Sequence, residues 1–184
     1  GSKMMAKTLA AHPKFCSFHE PRPFMNSISY AAWNNSINDS VIKRKIKLYR
    51  EGIIQQSTWN KLIYIESSHF CSHLIQYLYE LFDARFIHLF RDGREFVRSG
   101  LERENWYQQK KSPYSLIKKI IRRHYLIDIG DPWEDHRLKP PRIFKSRIEK
   151  TAWLWSEINE IIIFSLEKLQ TNYYIAIQLE NISK

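Results

Sequence analysis

The sequence predicts an α/β fold: one domain built on a three-layer arrangement, a parallel β-sheet flanked by helices. Three observations lead there. Short apolar runs, Phe15–Phe18, Leu62–Ile65, Phe86–Phe90 and Tyr173–Leu179, alternate with longer stretches of helical periodicity, the pattern of strands joined by crossover helices. Phe86–Phe90 has β-branched and aromatic members, as a strand covered on both faces of a parallel sheet reads. Arg91-Asp92-Gly93 then breaks the run, and from Arg94 the chain reads as a helix with Phe96, Val97 and Leu101 on one side.

Composition narrows the class. The 184 residues are 43% hydrophobic and 14% aromatic, enough for a real core. The formal net charge of +10 favours anionic ligands such as nucleotides, nucleic acid, phosphorylated or sulfated substrates and membrane surfaces. Cys16 and Cys71 have neither metal-site spacing nor a disulfide framework, so a reduced, cytoplasmic compartment is expected and no metal is implied. No apolar run is long enough to span a bilayer.

In chain order, Gly1–Ala11 reads as a helix ended by His12-Pro13, and Phe15–Phe18 as a strand followed by His19-Glu20-Pro21. Phe24–Gly52 reads as helical, with a basic run at Lys43-Arg44-Lys45 and Lys47; such a run is commonly a solvated face. Strand Leu62–Ile65 leads into Glu66-Ser67-Ser68-His69, with Ser68 placed to cap a helix over Phe70–Phe82. Ser115–Ile129 is amphipathic. Gly130–Pro141 carries two adjacent prolines and reads as a loop, with Trp133, His136 and the following Arg142 as contact candidates. Ser146–Leu169 is a long helix whose face of Ala152, Trp153, Trp155, Ile158, Ile161, Ile162 and Leu166 is core.

Arg91 thus leaves the end of a buried strand, and Ser99 follows about two helical turns later. Ligands of open α/β sheets bind beyond the carboxyl ends of strands, and helix N-termini favour anions. Arg91 and Ser99 are candidates to meet on one phosphate, as a charged fork and a hydroxyl. An arginine here also suits an ion pair with Asp92 or Glu95.

The segment LYELFDARFIHLFRDGREFVRSGL, with its strand followed by Arg-Asp-x-Arg-(acidic)-x-x-x-Ser, resembles the bacterial branch of the sulfotransferases that use 3′-phosphoadenosine-5′-phosphosulfate (PAPS). The resemblance is most specific over Arg85–Gly100 and looser over the rest of the chain. It implies a P-loop NTPase-like sheet, with Arg91 and Ser99 on the 3′-phosphate. It also implies that Gly1, Ser2, Lys3 and Met4 form the end of a loop holding the 5′-phosphosulfate, although the strand and the lysine or arginine usual before that glycine are absent. The chain is therefore expected to be incomplete at both ends. By the same resemblance, Glu20 or His19 is the candidate base, with His69 a further candidate, and Lys3 stands in for the missing lysine. Glu66, His69, Trp106 and Tyr107 are the candidate acceptor-binding residues. The lysine usual beside Glu66 is absent.

Sulfuryl transfer asks for positioning and fixed positive dipoles rather than a metal. The resemblance implies PAPS as cofactor, no metal, and a small-molecule or glycan acceptor, with no nucleic acid expected. Two other readings stay open. One is a P-loop nucleotide kinase, which calls for Gly-x-x-x-x-Gly-Lys-Ser/Thr. The other is a non-catalytic basic module for nucleic acid or sulfated glycan.

Overall fold

A computed structural model describes residues 2–33, 35–102 and 145–182. Trp106, Tyr107, Trp133, His136, Arg142, the expected helix Ser115–Ile129 and Gly1 lie outside the described residues. The described chain is α/β, with parallel strand pairs and helices, and it divides into two compact units, Gly1–Arg85 and Phe86–Lys184.

In the first unit the order is α1 (Ser2–Ala10), β1 (Phe15–His19), α2 (Asn26–Trp33), α3 (Asp39–Trp59), β2 (Ile63–Ser67), a 3-10 turn (His69–Leu74) and α4 (Ile75–Phe82). Strands β1 and β2 run parallel, with Phe15 opposite Ile63 and His19 opposite Ser67. The core joins Met25 and Ile28 to Ile42 and Ile46 of α3 and to Phe70 and Leu74 of the 3-10 turn. Each such side chain, fully buried, contributes about 1.5–3 kcal/mol.

Two boundaries differ from expectation. The helix expected over Phe24–Gly52 is broken between Trp33 and Asp39, where Asn35 sits at φ 49° and the Ser36 amide donates back to the Ala31 carbonyl at 3.1 Å. Asn tolerates the left-handed conformation, and Asn and Ser side chains compete with helical hydrogen bonds. After that break α3 runs through Gly52 to Trp59. The helix expected over Phe70–Phe82 begins as a 3-10 turn and becomes α-helical at Ile75; Ser68 caps it as expected, accepting the Phe70 amide at 3.2 Å. Asp83, at φ 51°, closes α4 with a left-handed cap.

The second unit holds β3 (Phe86–Phe90), α5 (Gly93–Glu102), α6 (Arg147–Leu166), a 3-10 turn (Thr171–Tyr173), β4 (Tyr174–Gln178) and a last 3-10 turn (Leu179–Asn181). Strands β3 and β4 are parallel in the register Phe86 opposite Tyr174 and Phe90 opposite Gln178. Ser146 starts α6 by accepting the Glu149 amide at 3.1 Å, while the Glu149 carboxylate takes the Lys145 amide at 2.9 Å, a reciprocal cap.

Among the described residues, β3 buries one face. His88 is buried, and its Nε2 donates to Oδ1 of Asn159 on α6 at 3.0 Å. On the other face Ile87 and its cross-strand partner Ile175 are 50% and 55% exposed, so β3 is not covered on both sides there. Among the described residues no helix is long and apolar enough to cross a membrane.

Candidate functional site

Two groups of side chains stand at the carboxyl ends of parallel strands, where ligands of α/β sheets bind. Each lies within one unit.

In the first unit the hub is Ser67, the last residue of β2. Its carbonyl accepts the Glu20 amide at 3.2 Å and Nδ1 of His19 at 3.1 Å, and its hydroxyl donates to the Ser2 carbonyl at 3.0 Å. A carbonyl only accepts, so His19 carries its proton on Nδ1. The hub thus brings the start of α1, His19 and Glu20 to one edge. Glu20 turns the chain there at φ 48°, a left-handed conformation that costs a non-glycine residue about 1–2 kcal/mol. Its carboxylate Oε1 lies 2.9 Å from Nδ1 of His69, and that ring packs on Phe70 at 4.0 Å between centroids. The carboxylate thereby orients the His69 ring through Nδ1–H. Lys3 and Met4 are exposed on the first turn of α1.

Behind this edge lies a polar network that sequence reasoning missed. Arg50, on the stripe of α3 that carries Ile42 and Ile46, is 2% exposed. It grips Glu66 from two points, Nε to Oε2 at 2.6 Å and Nη2 to Oε1 at 3.0 Å. Its other N–H groups donate to the carbonyls of Pro21 (3.2 Å), Pro23 (2.9 Å) and Tyr49 (3.2 Å), so all five donors of the guanidinium are used. Tyr64 and Cys71 donate to the same Glu66 carboxylate, at 2.8 and 3.7 Å. Burial, and then the Glu66 charge, push the ionisation of both Tyr64 and Cys71 upward. Burial also opposes the charge on Arg50, but the hydrogen bonds and charge of Glu66 outweigh it and raise the arginine pKa. Glu66 is therefore committed to Arg50, Tyr64 and Cys71. The spacing 42, 46, 50 was the signal: an arginine on an apolar stripe must find a carboxylate.

In the second unit Arg91 follows β3 and Ser99 lies on α5. Asp92 caps α5, its Oδ1 accepting the Arg94 amide at 2.8 Å while its oxygens also take Nε and Nη2 of Arg94 at 3.1 and 2.9 Å. The Arg94 side chain, with the amides, holds the Asp92 carboxyl down to about 2. The Asp92 amide donates to Oε1 of Glu180, just past β4, at 3.1 Å. The Glu180 carboxyl is lowered by its own amide and that of Asp92. Trp155 of α6 closes the back of the turn, donating from Nε1 to the Arg91 carbonyl at 3.0 Å and laying its ring against Gly93.

Three arginines meet three carboxylates in this turn, and they differ in grip. Arg94 holds Asp92 at two points, and Arg98 binds Glu95 closely. The carboxylate contacts of Arg91 are long, 3.4 Å to Glu95 and 4.0 Å to Glu180, and its side chain is 37% exposed. Arg91 is the arginine here that exchanges partners at least cost.

No protein-family model matches the chain, and neither a curated protein nor a solved structure matches it. The case for a function therefore rests on the residues and their geometry. Glu20 and His69 are paired, and Ser2 and His19 reach the same hub. Arg91 and Ser99 share one strand–turn–helix segment.

Proposed function

We propose that this chain is a sulfotransferase that uses PAPS and passes a sulfuryl group to a hydroxyl or amine of a small-molecule or glycan acceptor by in-line displacement. The observation that carries the reading is the position of Arg91. It stands at the carboxyl end of a parallel strand, its carbonyl is held by Trp155, and its guanidinium is only loosely paired, on the turn leading to the helix of Ser99. Such a turn suits an anion. In this reading Arg91 and Ser99 hold the 3′-phosphate, and Gly1, Ser2, Lys3 and Met4 hold the 5′-phosphosulfate. The three-layer, P-loop-like sheet and the cytoplasmic location belong to the same proposal.

The acid–base work falls to the first unit. Glu20 holds Nδ1–H of His69, and this edge, with His19 beside it, takes the proton of the acceptor hydroxyl. The cofactor, when bound, supplies the activated sulfuryl group, whose bond to the phosphate oxygen breaks with its electrons leaving on the bisphosphate. Arg50 keeps the loop after Glu20 in place through the carbonyls of Pro21 and Pro23.

The test is calorimetric titration of 3′,5′-adenosine bisphosphate into the chain, with 5′-AMP as control. Binding that requires the 3′-phosphate is expected. Equal affinity for the two nucleotides would remove the Arg91–Ser99 assignment, and preference for ATP would move the chain to the kinase reading.

A further inference from the structure

Helix α3 has two faces of opposite character. Ile42, Ile46, Arg50 and Ser57 are buried on one. Opposite them, at helical spacing, stand Arg44, Lys47, Leu48, Glu51 and Trp59, all exposed. Leu48 is 73% and Trp59 79% exposed, the highest values among the described large apolar side chains. They lie three turns apart on one stripe, about 16 Å along the axis. Lys43, at the edge of this face, is ion-paired with Glu80 at 2.7 Å, so its charge is balanced locally. Arg44 and Lys47, and Lys61 two residues past Trp59, are exposed cations; Glu51 is the carboxylate on the stripe. Between α3 and Leu81 of α4 the surface is an open depression lined by Lys43, Arg44, Lys47, Leu48, Glu51 and Leu81.

From this face we infer that α3 docks flat on an anionic lipid surface. Arg44, Lys47 and Lys61 meet lipid phosphates, while Leu48 enters the acyl boundary and Trp59 sits at headgroup depth. The chemistry selects this occupant. Basic residues flanking leucine and tryptophan on a helix of low overall hydrophobicity suit the membrane interface. Clustered Lys and Arg on such a helix attract anionic headgroups. A nucleic acid matches the cations and offers no apolar phase for Leu48. An open depression offers no groove to grip a peptide helix. The inference is independent of the sulfotransferase reading, because no residue of this face has a role in it.

The test is sedimentation of the full chain with vesicles of phosphatidylcholine alone and of phosphatidylcholine mixed with phosphatidylglycerol. Binding to the mixed vesicles only, weakened by added salt, is expected. The double variant R44E/K47E lowers that binding about tenfold, since the headgroup term is electrostatic. Trp59→Ala lowers it several-fold at constant salt, through the lost interfacial contact. These positions are exposed, so the variants keep the parent's circular dichroism spectrum and unfolding midpoint. Failure to sediment with anionic vesicles at low salt overturns the inference. So does a double variant that binds like the parent, and so does duplex DNA that strips the chain from the vesicles.

Discussion

Arg50 and Glu66 form a buried two-point ion pair, 2.6 and 3.0 Å, joining the middle of α3 to the end of β2. With 2% and 11% of their side chains exposed, neither has water to fall back on if the other is lost. Removing one partner of such a pair orphans a buried charge. Arg50→Met and Glu66→Gln are each expected to lower the unfolding free energy by about 3–5 kcal/mol. The double variant R50M/E66Q should lose less than the sum of the single losses, because no charge is left unpaired. Urea unfolding of the three variants measures this, and strictly additive losses would refute the coupling.

Arg91→Ala should weaken binding of 3′,5′-adenosine bisphosphate by about 2–3 kcal/mol, the cost of a lost charge-assisted fork. Ser99→Ala removes one neutral hydrogen bond and should cost about 1 kcal/mol. Neither change should alter affinity for 5′-AMP. Titration calorimetry separates the two nucleotides, and a uniform loss for both would point to a folding defect instead.

Acid should weaken each unit through one histidine, half-buried His73 in the first and buried His88 in the second. Burial lowers His73, beside the Trp33 ring, to about 4. Burial also lowers His88, against the partly compensating hydrogen bond that its Nε2 donates to Asn159. Below the unfolded value of 6.5 the unfolded chain takes up protons that the folded chain refuses. Stability is therefore full above 6.5 and falls as pH drops toward 4. His73 alone accounts for roughly 3 kcal/mol across that window. Asp92 acts lower on the scale: its contribution is present above its ordinary 3.8 and is lost as pH falls through about 2. Urea midpoints measured from about pH 7 to about pH 4.5 should decline, and His73→Gln should flatten the decline. An unchanged slope in that variant would exclude His73.

Gly93 leaves room for the Trp155 ring. A Cβ at position 93 would meet Cε3, Cδ2 and Cζ3 of that ring at 3.2–3.3 Å, and the ring is pinned by its hydrogen bond to the Arg91 carbonyl. Gly93→Ala is expected to cost about 1–2 kcal/mol. The cost should shrink in a Trp155→Phe background, where a smaller ring has space to move. Thermal melts of the single and double variants test the coupling.

Glu20 holds a backbone conformation that suits glycine. Glu20→Gly and Glu20→Ala both delete the partner of His69, but only glycine adopts φ 48° without strain. The glycine variant should be more stable than the alanine variant by about 1 kcal/mol. Equal melting points would show that the turn relaxes at no cost. In the proposed reaction both variants lose turnover, since the carboxylate of the Glu20–His69 pair is gone.

Much of the local structure was legible. The apolar runs became β1 to β4 within a residue or two, and the cap at Ser68 stands where the pattern put it, because caps and strand runs are set by neighbours in sequence. The break in Phe24–Gly52 shows in the sequence only as a short polar run ending at Ser40, which the helical reading bridged; in the fold the left-handed Asn35 lies within it. The candidate Arg91-to-Ser99 segment was readable for the same reason that β3 was: strand, turn and helix are consecutive.

The sequence by itself determined the kinds of elements, their order, the basic charge and the arginine that follows β3. Only the tertiary structure decided which side chains meet. Glu20 pairs with His69, Arg50 with Glu66, and Asp92 with Glu180 across long stretches of chain. These pairings depend on the register of β1 on β2 and of β3 on β4, and on how α3 and α6 dock. The physical reason is that propensity and periodicity act over a few residues, whereas a buried charge is satisfied by whatever group the fold delivers to it. Arg50 follows a basic run of the kind usually solvated, yet it is among the most buried residues described, because Glu66 arrives beside it.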